Sequence, residues 1–547
     1  MSAFQPMLPS KTTGQYNSPE SGFPCMMSTK GPSLGRLIHA MRRTVTNERR
    51  LFFVDGRVVM CSLNWIRDHV HMMKAFMHWE HDLTSFYQYI LDNQSDEGWF
   101  FEMLKQIDDP HWSFVRPKFM RQYPEDNLAA TRLELEADIE YLMVEGAMQI
   151  YRVIGDDGWM RACLPKLEKG IDYMTGDPDR WDPAHGLCKR PFTIDTWDFT
   201  YGKPVNNRRI EPDTPMSIMH GDNSGAYQAM RRLAWLRRRF GDGEAARAWE
   251  KRAEALRENM FRYLWNGRFF IHQLHLNHGG ADDRESERLS LSNPYDINRG
   301  VTDLAQSRAV IGEYMARRET AGTFAEWFSI EPPYEPAFSG HAAGRYVNGG
   351  ISPFTAGELA KAAFRSGMEA YGWDIIRRLM AMAERDGTIY FLYDRESGTR
   401  ELGGGPSGWG AAAILSAVDE GLAGIVDEDV QYRRMAFEPR WVVTEHDELR
   451  YVTGYELGRV KIDVYMKREA DALSYRLDTP SERIDCRIML PPGTVCRRVT
   501  VNGEAVGFRN ETVGDSAYAA FALDAPTMTR DCFGWARGHV FDIRCEW

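Results

Sequence analysis

Between about residues 65 and 425 the sequence repeats one pattern: an amphipathic helical stretch, a tight Gly/Asp turn and a second helical stretch. The clearest pair puts Tyr227, Met230, Leu233, Ala234 and Leu236 on one face and stops at Gly241-Asp242-Gly243. It resumes with Trp249, Ala253, Leu256, Met260 and Leu264. Spacings of three and four align these side chains in a stripe that another element must cover. The same periodicity predicts helices through Met73, Phe76 and Met77, through Phe86, Tyr87 and Ile90, and over 134–154, 160–174, 302–320, 353–371, 373–385 and 409–422. Roughly ten to twelve helices in antiparallel pairs result. Short turns lie on one side and long Pro- and aromatic-rich loops on the other. A closed double ring of such hairpins buries one stripe per helix and gathers the long loops at one mouth. No motif recurs at a fixed period, as an open solenoid would require.

After Ile425 the period changes. Val460, Ile462 and Val464 alternate with polar residues, as do Ile484, Cys486, Ile488 and Leu490, and Val499-Thr500-Val501 runs into an Asn502-Gly503 turn. These features predict an antiparallel β-sandwich. The expected divisions are an irregular arm rich in Ser, Pro, Gly and Thr over 1–32, a helical domain over 33–428 and the sandwich over 429–547. Leu51-Phe52-Phe53-Val54 and Val58-Val59-Met60, joined by Asp55-Gly56, predict a short hairpin.

Composition removes several classes of partner. The net charge of −11 argues against nucleic acid. No run reaches the roughly 18 apolar residues of a membrane span, and Met1 to Ser18 has no apolar core followed by a cleavage site. Eight cysteines are scattered singly without a CxxC, the pattern of reduced thiols, so a cytoplasmic location is expected. No metal or other cofactor is expected. His69 and His71 stand two apart on a helix and do not converge. His272, His275 and His278, with Asp282 and Asp283, lack a matching ligand set elsewhere.

The chemistry centres on Phe192-Thr193-Ile194-Asp195-Thr196-Trp197-Asp198-Phe199, a loop-like stretch between helices. An aromatic wall beside a carboxyl raises its pKa towards neutrality, which a general acid needs. Sugars stack on indole faces, and the 16 tryptophans fit a carbohydrate cleft as well as a core. The bland alternative for this stretch is a surface turn with solvated acids.

Four motifs, in order along the chain, resemble the six-hairpin glycosidases, the (α/α)6-barrel enzymes that include trehalase, the processing α-glucosidases and the cellobiose-phosphorylase relatives. Trp65-Ile66-Arg67-Asp68 is similar to their Trp-x-Arg-Asp, whose Arg and Asp bind sugar hydroxyls. Trp197-Asp198-Phe199-Thr200 looks like the trehalase Trp-Asp-Phe-Ser, whose Asp is the general acid. Asn348-Gly349-Gly350-Ile351-Ser352-Pro353 resembles the Asn-Gly-x-x-Pro of the sugar subsite, and Ser407-Gly408-Trp409-Gly410 resembles the start of the last barrel helix. The resemblance implies a mainly α fold, an (α/α)6 barrel with a C-terminal β-sandwich. It also implies a carbohydrate substrate cleaved by inversion, with Asp198 as general acid and Arg67, Asp68, Asp195, Trp197, Asn348 and Trp409 around the sugar.

One departure concerns the base. Where the trehalases carry Glu-x-Tyr-Asp, this chain reads Phe391-Leu392-Tyr393-Asp394. Glu401 is the first candidate to replace the missing Glu, followed by Glu335 and Glu396. The alternatives are phosphorolysis, with Arg395 or Arg400 near the vacated position, and an inactive carbohydrate-binding protein. Glu136, Asp138 and Glu140, spaced by two, are expected to splay over different faces of a helix and to serve structural or substrate roles equally well.

Overall fold

The computed structural model describes residues 22–28, 33–109, 115–195, 209–277, 284–338, 340–401 and 404–547. Its helices are α1 (Ser33–Asn47), α2 (Ile66–Phe76), α3 (Ser85–Asp92), α4 (Ile139–Ile154), α5 (Asp157–Met174), α6 (His220–Arg239), α7 (Gly243–Leu264), α8 (Asn293–Asn298), α9 (Leu304–Thr320), α10 (Pro353–Arg365), α11 (Glu369–Asp386) and α12 (Gly408–Ser416). The even-numbered helices touch in turn, α2 on α4, α4 on α6, α6 on α8, α8 on α10 and α10 on α12, and α12 returns to α2. The odd-numbered helices lie against this ring. Burial separates the two sets. In α4 only Arg152 and Ile154 escape burial, whereas α9 buries Ser307, Val310, Ile311 and Tyr314, a single stripe at spacings of three, one and three.

Several helix limits differ from expectation for local reasons. α4 begins at Ile139 rather than 134, leaving Glu134–Asp138 outside the helix. The stretch 353–371 breaks after Arg365, because Gly367 adopts φ +70° where a Cβ would lie 2.1 Å from the Val513 carbonyl oxygen. α12 ends at Ser416 and widens into a π-type turn over Ala417–Leu422. α1 and the short α8 were not anticipated. α1 carries a plain stripe of Leu34, Leu37, Ile38, Met41 and Val45, but it abuts the Ser/Pro-rich arm, whose composition masks it.

The C-terminal residues build two sheets. One has seven strands in the order Cys25–Ser28, Glu448–Tyr455, Val460–Arg468, Ala472–Thr479, His539–Glu546, Arg498–Val501 and Glu504–Ala505. The other has five, Ile425–Asp427, Arg434–Phe437, Arg483–Met489, Ser516–Asp524 and Arg509–Val513. Val460, Ile462, Val464 and Met466 are buried in alternation, as predicted. Phe437 of one sheet meets Tyr475 of the other edge-on at 5.6 Å. Two expectations need correction. Arg434–Phe437 pairs with Arg483–Met489 in parallel, and Cys25–Ser28, expected to be irregular, adds a strand to the larger sheet. The Arg49–Ser62 hairpin forms as read, turning through Asp55 (φ 52°) and Gly56 (φ 71°).

Candidate active site

Trp65, Arg67 and Asp68 at the start of α2, Glu136 just before α4 and Trp409 at the start of α12 meet at one end of the inner ring, where the positive ends of these helix dipoles lie. At this end lies a cavity of about 560 Å³, walled by Trp65, Arg67, Asp68, Glu102, Glu136 and Trp409, with Tyr346, Phe391 and the Gly404-Gly405-Pro406 turn closing it. The sequence-predicted Arg67, Asp68 and Trp409 meet here.

Arg67 organises the acids. Its Nε donates to Asp138 at 2.5 Å and its Nη2 at 2.8 Å, and Nη2 also reaches Glu136. Arg190, fully buried, stands 3.6 Å from Glu136 and 3.3 Å from Asp222. This convergence is possible because Glu136 and Asp138 precede α4. The splaying expected for a helix does not apply to them, and Glu140, inside the helix, pairs instead with Arg132. Asp68 makes no bond to Arg67. Burial, opposed by the Arg67 charge, pushes its carboxyl up to about 6. Burial and the neighbouring Glu136 raise Glu102 well above the carboxylate range. Burial likewise lifts Asp222 to about 6, while Arg67 overcomes burial at Asp138 and holds it low.

Trp409 lines the cavity with its ring stacked on His71 (4.1 Å between centroids) and Phe354 (4.9 Å), and its Nε1 donates to Tyr295 Oη at 2.9 Å. Burial keeps His71 well below its usual pKa and therefore neutral.

Other predicted residues lie elsewhere. Asn348 is fully buried. Its amide donates to the carbonyls of Tyr334 and His341 and accepts from Tyr334 N, so it fastens a loop and does not wall the cavity. Asp195, also buried, adopts φ 50° and accepts from Ser292 N (3.1 Å) and Oγ (2.5 Å), while its own N–H donates to His272 Nε2. Its oxygen stands against Gly221, next to Asp222 of the acidic network. His272 and His275 both face Glu285, at 3.5 and 3.3 Å, and are thereby tied to the loop carrying Tyr334. Trp197 and Asp198 lie outside the described residues.

Among the base candidates, Glu401 is 4 % exposed and bonds Arg345 at 3.1 Å, with one carboxylate oxygen unpartnered among the described residues. Burial raises its pKa. Glu335 and Glu396 are exposed. Arg395 pairs with Glu331 at 2.8 Å and Arg400 lies over the Tyr390 ring, and neither walls the cavity. Glu48 lines the cavity as well, and sequence reasoning missed both it and Glu102. Glu102 follows Trp99-Phe100-Phe101, the same signal of an acid beside aromatic residues that singled out Asp198.

No protein-family profile and no curated protein sequence matches the chain. Solved structures do. An α-L-rhamnosidase from Dictyoglumus thermophilum aligns over 96% of this chain and 51% of its own at 11% identity and TM-score 0.58. A GH78 rhamnosidase from Bacillus sp. GL1 aligns over 86% and 43% at 16% identity, TM-score 0.58. The Streptomyces avermitilis α-L-rhamnosidase, solved with L-rhamnose, aligns over 96% and 42% at 11% identity, TM-score 0.58. The chain thus spans about half the length of these enzymes or less. Its structural neighbours are glycoside hydrolases, as the motifs suggested, and at these identities the likeness is one of fold.

Proposed function

We propose that this chain is a glycoside hydrolase whose helices form an (α/α)6 barrel over 33–428, capped by a β-sandwich over 429–547, with its active site in the Arg67–Trp409 cavity. The observation that carries the reading is the cavity itself. Buried carboxyls, some ion-paired and some held towards their protonated form, face one another where α2, α4 and α12 begin, beside an indole. That separation of acid strengths is what glycosidic cleavage needs.

Asp198 is the proton donor to the leaving oxygen. It stands three residues from Asp195, a distance an extended chain spans in about 10–11 Å, and Asp195 is anchored beside Asp222. The chain is held again at Ile210, whose N–H donates to Glu134 at 3.1 Å, next to the acidic network. Asp195 positions the loop. Arg67, Asp68, Trp197 and Trp409 bind the sugar, and Asn348 shapes the subsite through the loop it fastens. Glu401 is the foremost base, with Glu335 second. An inverting pair is separated by about 6.5–9.5 Å, leaving room for water.

The raised pKa of Glu102 favours a second reading for the acid: Glu102, its proton held more tightly by burial and by the neighbouring, ion-paired Glu136, delivers the proton. Comparing Asp198→Asn with Glu102→Gln on a natural glycan and on an aryl glycoside decides. The true acid loses about 10²–10⁴-fold on the glycan and much less on the aryl substrate, whose leaving group needs little protonation. Terminal deoxyhexosides belong in the substrate panel because of the rhamnosidase neighbours.

A further inference from the structure

A second cavity, of about 430 Å³, lies along the same ring of helices but towards their other ends. α2 shows the relation: Arg67 and Asp68 at its start wall the first cavity and Lys74 near its end walls the second. Tyr295 separates them. Its ring faces the second cavity, with Lys74 Nζ 5.1 Å from its centroid, and its hydroxyl receives the Trp409 Nε1–H of the first.

The second cavity is lined with charge, and the charges do not cancel. Its acids are already paired. Glu358 takes Lys74 at 2.8 Å, Glu420 takes Lys361 at 2.6 Å and Glu250 takes Arg238 at 2.5 Å. Glu428 and Asp429 are paired by Arg434 and Arg239, which lie outside the cavity wall. Glu145 has Lys74 at 3.9 Å and Arg232 at 4.0 Å. Arg152, Arg231, Arg232 and Arg365 therefore line the space with no carboxylate at hydrogen-bonding distance among the described residues. The consequence shows at Arg232: burial, with Arg152 and Arg299 nearby, lowers its pKa to about 10.

Two acceptors complete the lining. Gln149, 5 % exposed, donates its Nε2 to Glu145 at 3.3 Å, which fixes the amide orientation and leaves Oε1 without a partner among the described residues. Asn298 donates its Nδ2 to the Glu358 carbonyl and carboxylate, and its Oδ1 likewise has no partner among the described residues. A buried acceptor left unmade is costly, and a ligand hydroxyl supplies the missing donor. Guanidinium groups without carboxylates suit a phosphoryl group, which takes their forked N–H pairs.

We propose that this cavity binds a phosphorylated sugar, its phosphoryl group held by Arg152, Arg231, Arg232 and Arg365 and its hydroxyls by Gln149 and Asn298. The volume lies within the range of small-ligand pockets. The occupant rests against the ring of Tyr295, whose hydroxyl accepts from Trp409 of the first cavity.

Titration calorimetry on the full chain tests this with D-glucose 6-phosphate and, separately, inorganic phosphate. Glucose 6-phosphate binds once per chain, and phosphate binds at least about tenfold more weakly for want of the hydroxyl contacts. Arg231→Gln and Arg365→Gln, both at exposed positions, each weaken both ligands about tenfold or more, the effect of losing a hydrogen bond to a charged group. Gln149→Leu weakens glucose 6-phosphate and leaves phosphate unchanged. Absence of binding at about 10 mM ligand, or parental affinity in both arginine variants, overturns the proposal. Equal affinity for the two ligands overturns its sugar half and leaves a free-phosphate site.

Discussion

Arg67 neutralises two acids that the fold buries almost completely, Glu136 at 1 % side-chain exposure and Asp138 at 0 %. Removing one partner of a buried ion pair typically costs about 3–5 kcal/mol. Arg67→Met is therefore expected to lower the unfolding free energy in chemical denaturation by an amount in that range. Arg67→Lys recovers only part, because an ammonium cannot reproduce the forked contact with Asp138. Asp68 offers a test by pH. Its folded pKa of about 6 exceeds the ordinary 3.8, so its contribution to stability is full below pH 4 and is lost as pH rises through 6. Asp68→Asn does not titrate, so its melting temperature relative to the parent should rise by about 1–3 °C between pH 4.5 and 7.5; a constant difference across that range would contradict the assignment. Of the site, Arg67, Asp68 and Trp409 were legible because they sit in short motifs at helix starts. The meeting of Glu136 and Asp138 was not. Their meeting depends on where α4 begins, and a shift of a few residues in a helix start decides whether two acids diverge or share one arginine.

The inner ring depends on close approach. α10 and α12 cross at Gly357, where an added Cβ would lie 2.5 Å from the Ala413 carbonyl carbon and 2.7 Å from Ile414 N. These are backbone atoms that cannot move aside, so Gly357→Ala should force the helices apart. A loss of about 1–3 kcal/mol in chemical denaturation is expected, together with reduced turnover, since α12 carries Trp409. Unchanged stability would mean the crossing is looser than it stands here. The long helices were legible because their stripes persist over four or more turns, as in α7 with Trp249, Ala253, Leu256, Met260 and Leu264. The boundaries were not, because they are set by tertiary contacts such as Gly367 against Val513. The parallel pairing of Arg434–Phe437 with Arg483–Met489 was hidden for a similar reason: strand alternation reports which face is buried and not which neighbour runs which way.

Two cavities lie along one ring of helices, with the sheets fastened at the end away from the helix starts. Tyr451 Oη donates to Asp419 at 2.8 Å, and Arg440 reaches the Gly421 carbonyl at 2.7 Å, both just beyond α12. The strands thereby brace the ring at the end opposite the Arg67–Trp409 cavity. One measurement addresses the activity proposed for that cavity directly. The parent protein is incubated with a panel of oligosaccharides and plant or bacterial glycans in phosphate-free buffer, and the first products are followed by proton NMR. The account predicts release of a reducing sugar whose anomeric configuration is inverted relative to the bond cleaved. Cleavage that requires added phosphate, or no cleavage of any glycan in the panel, would contradict it.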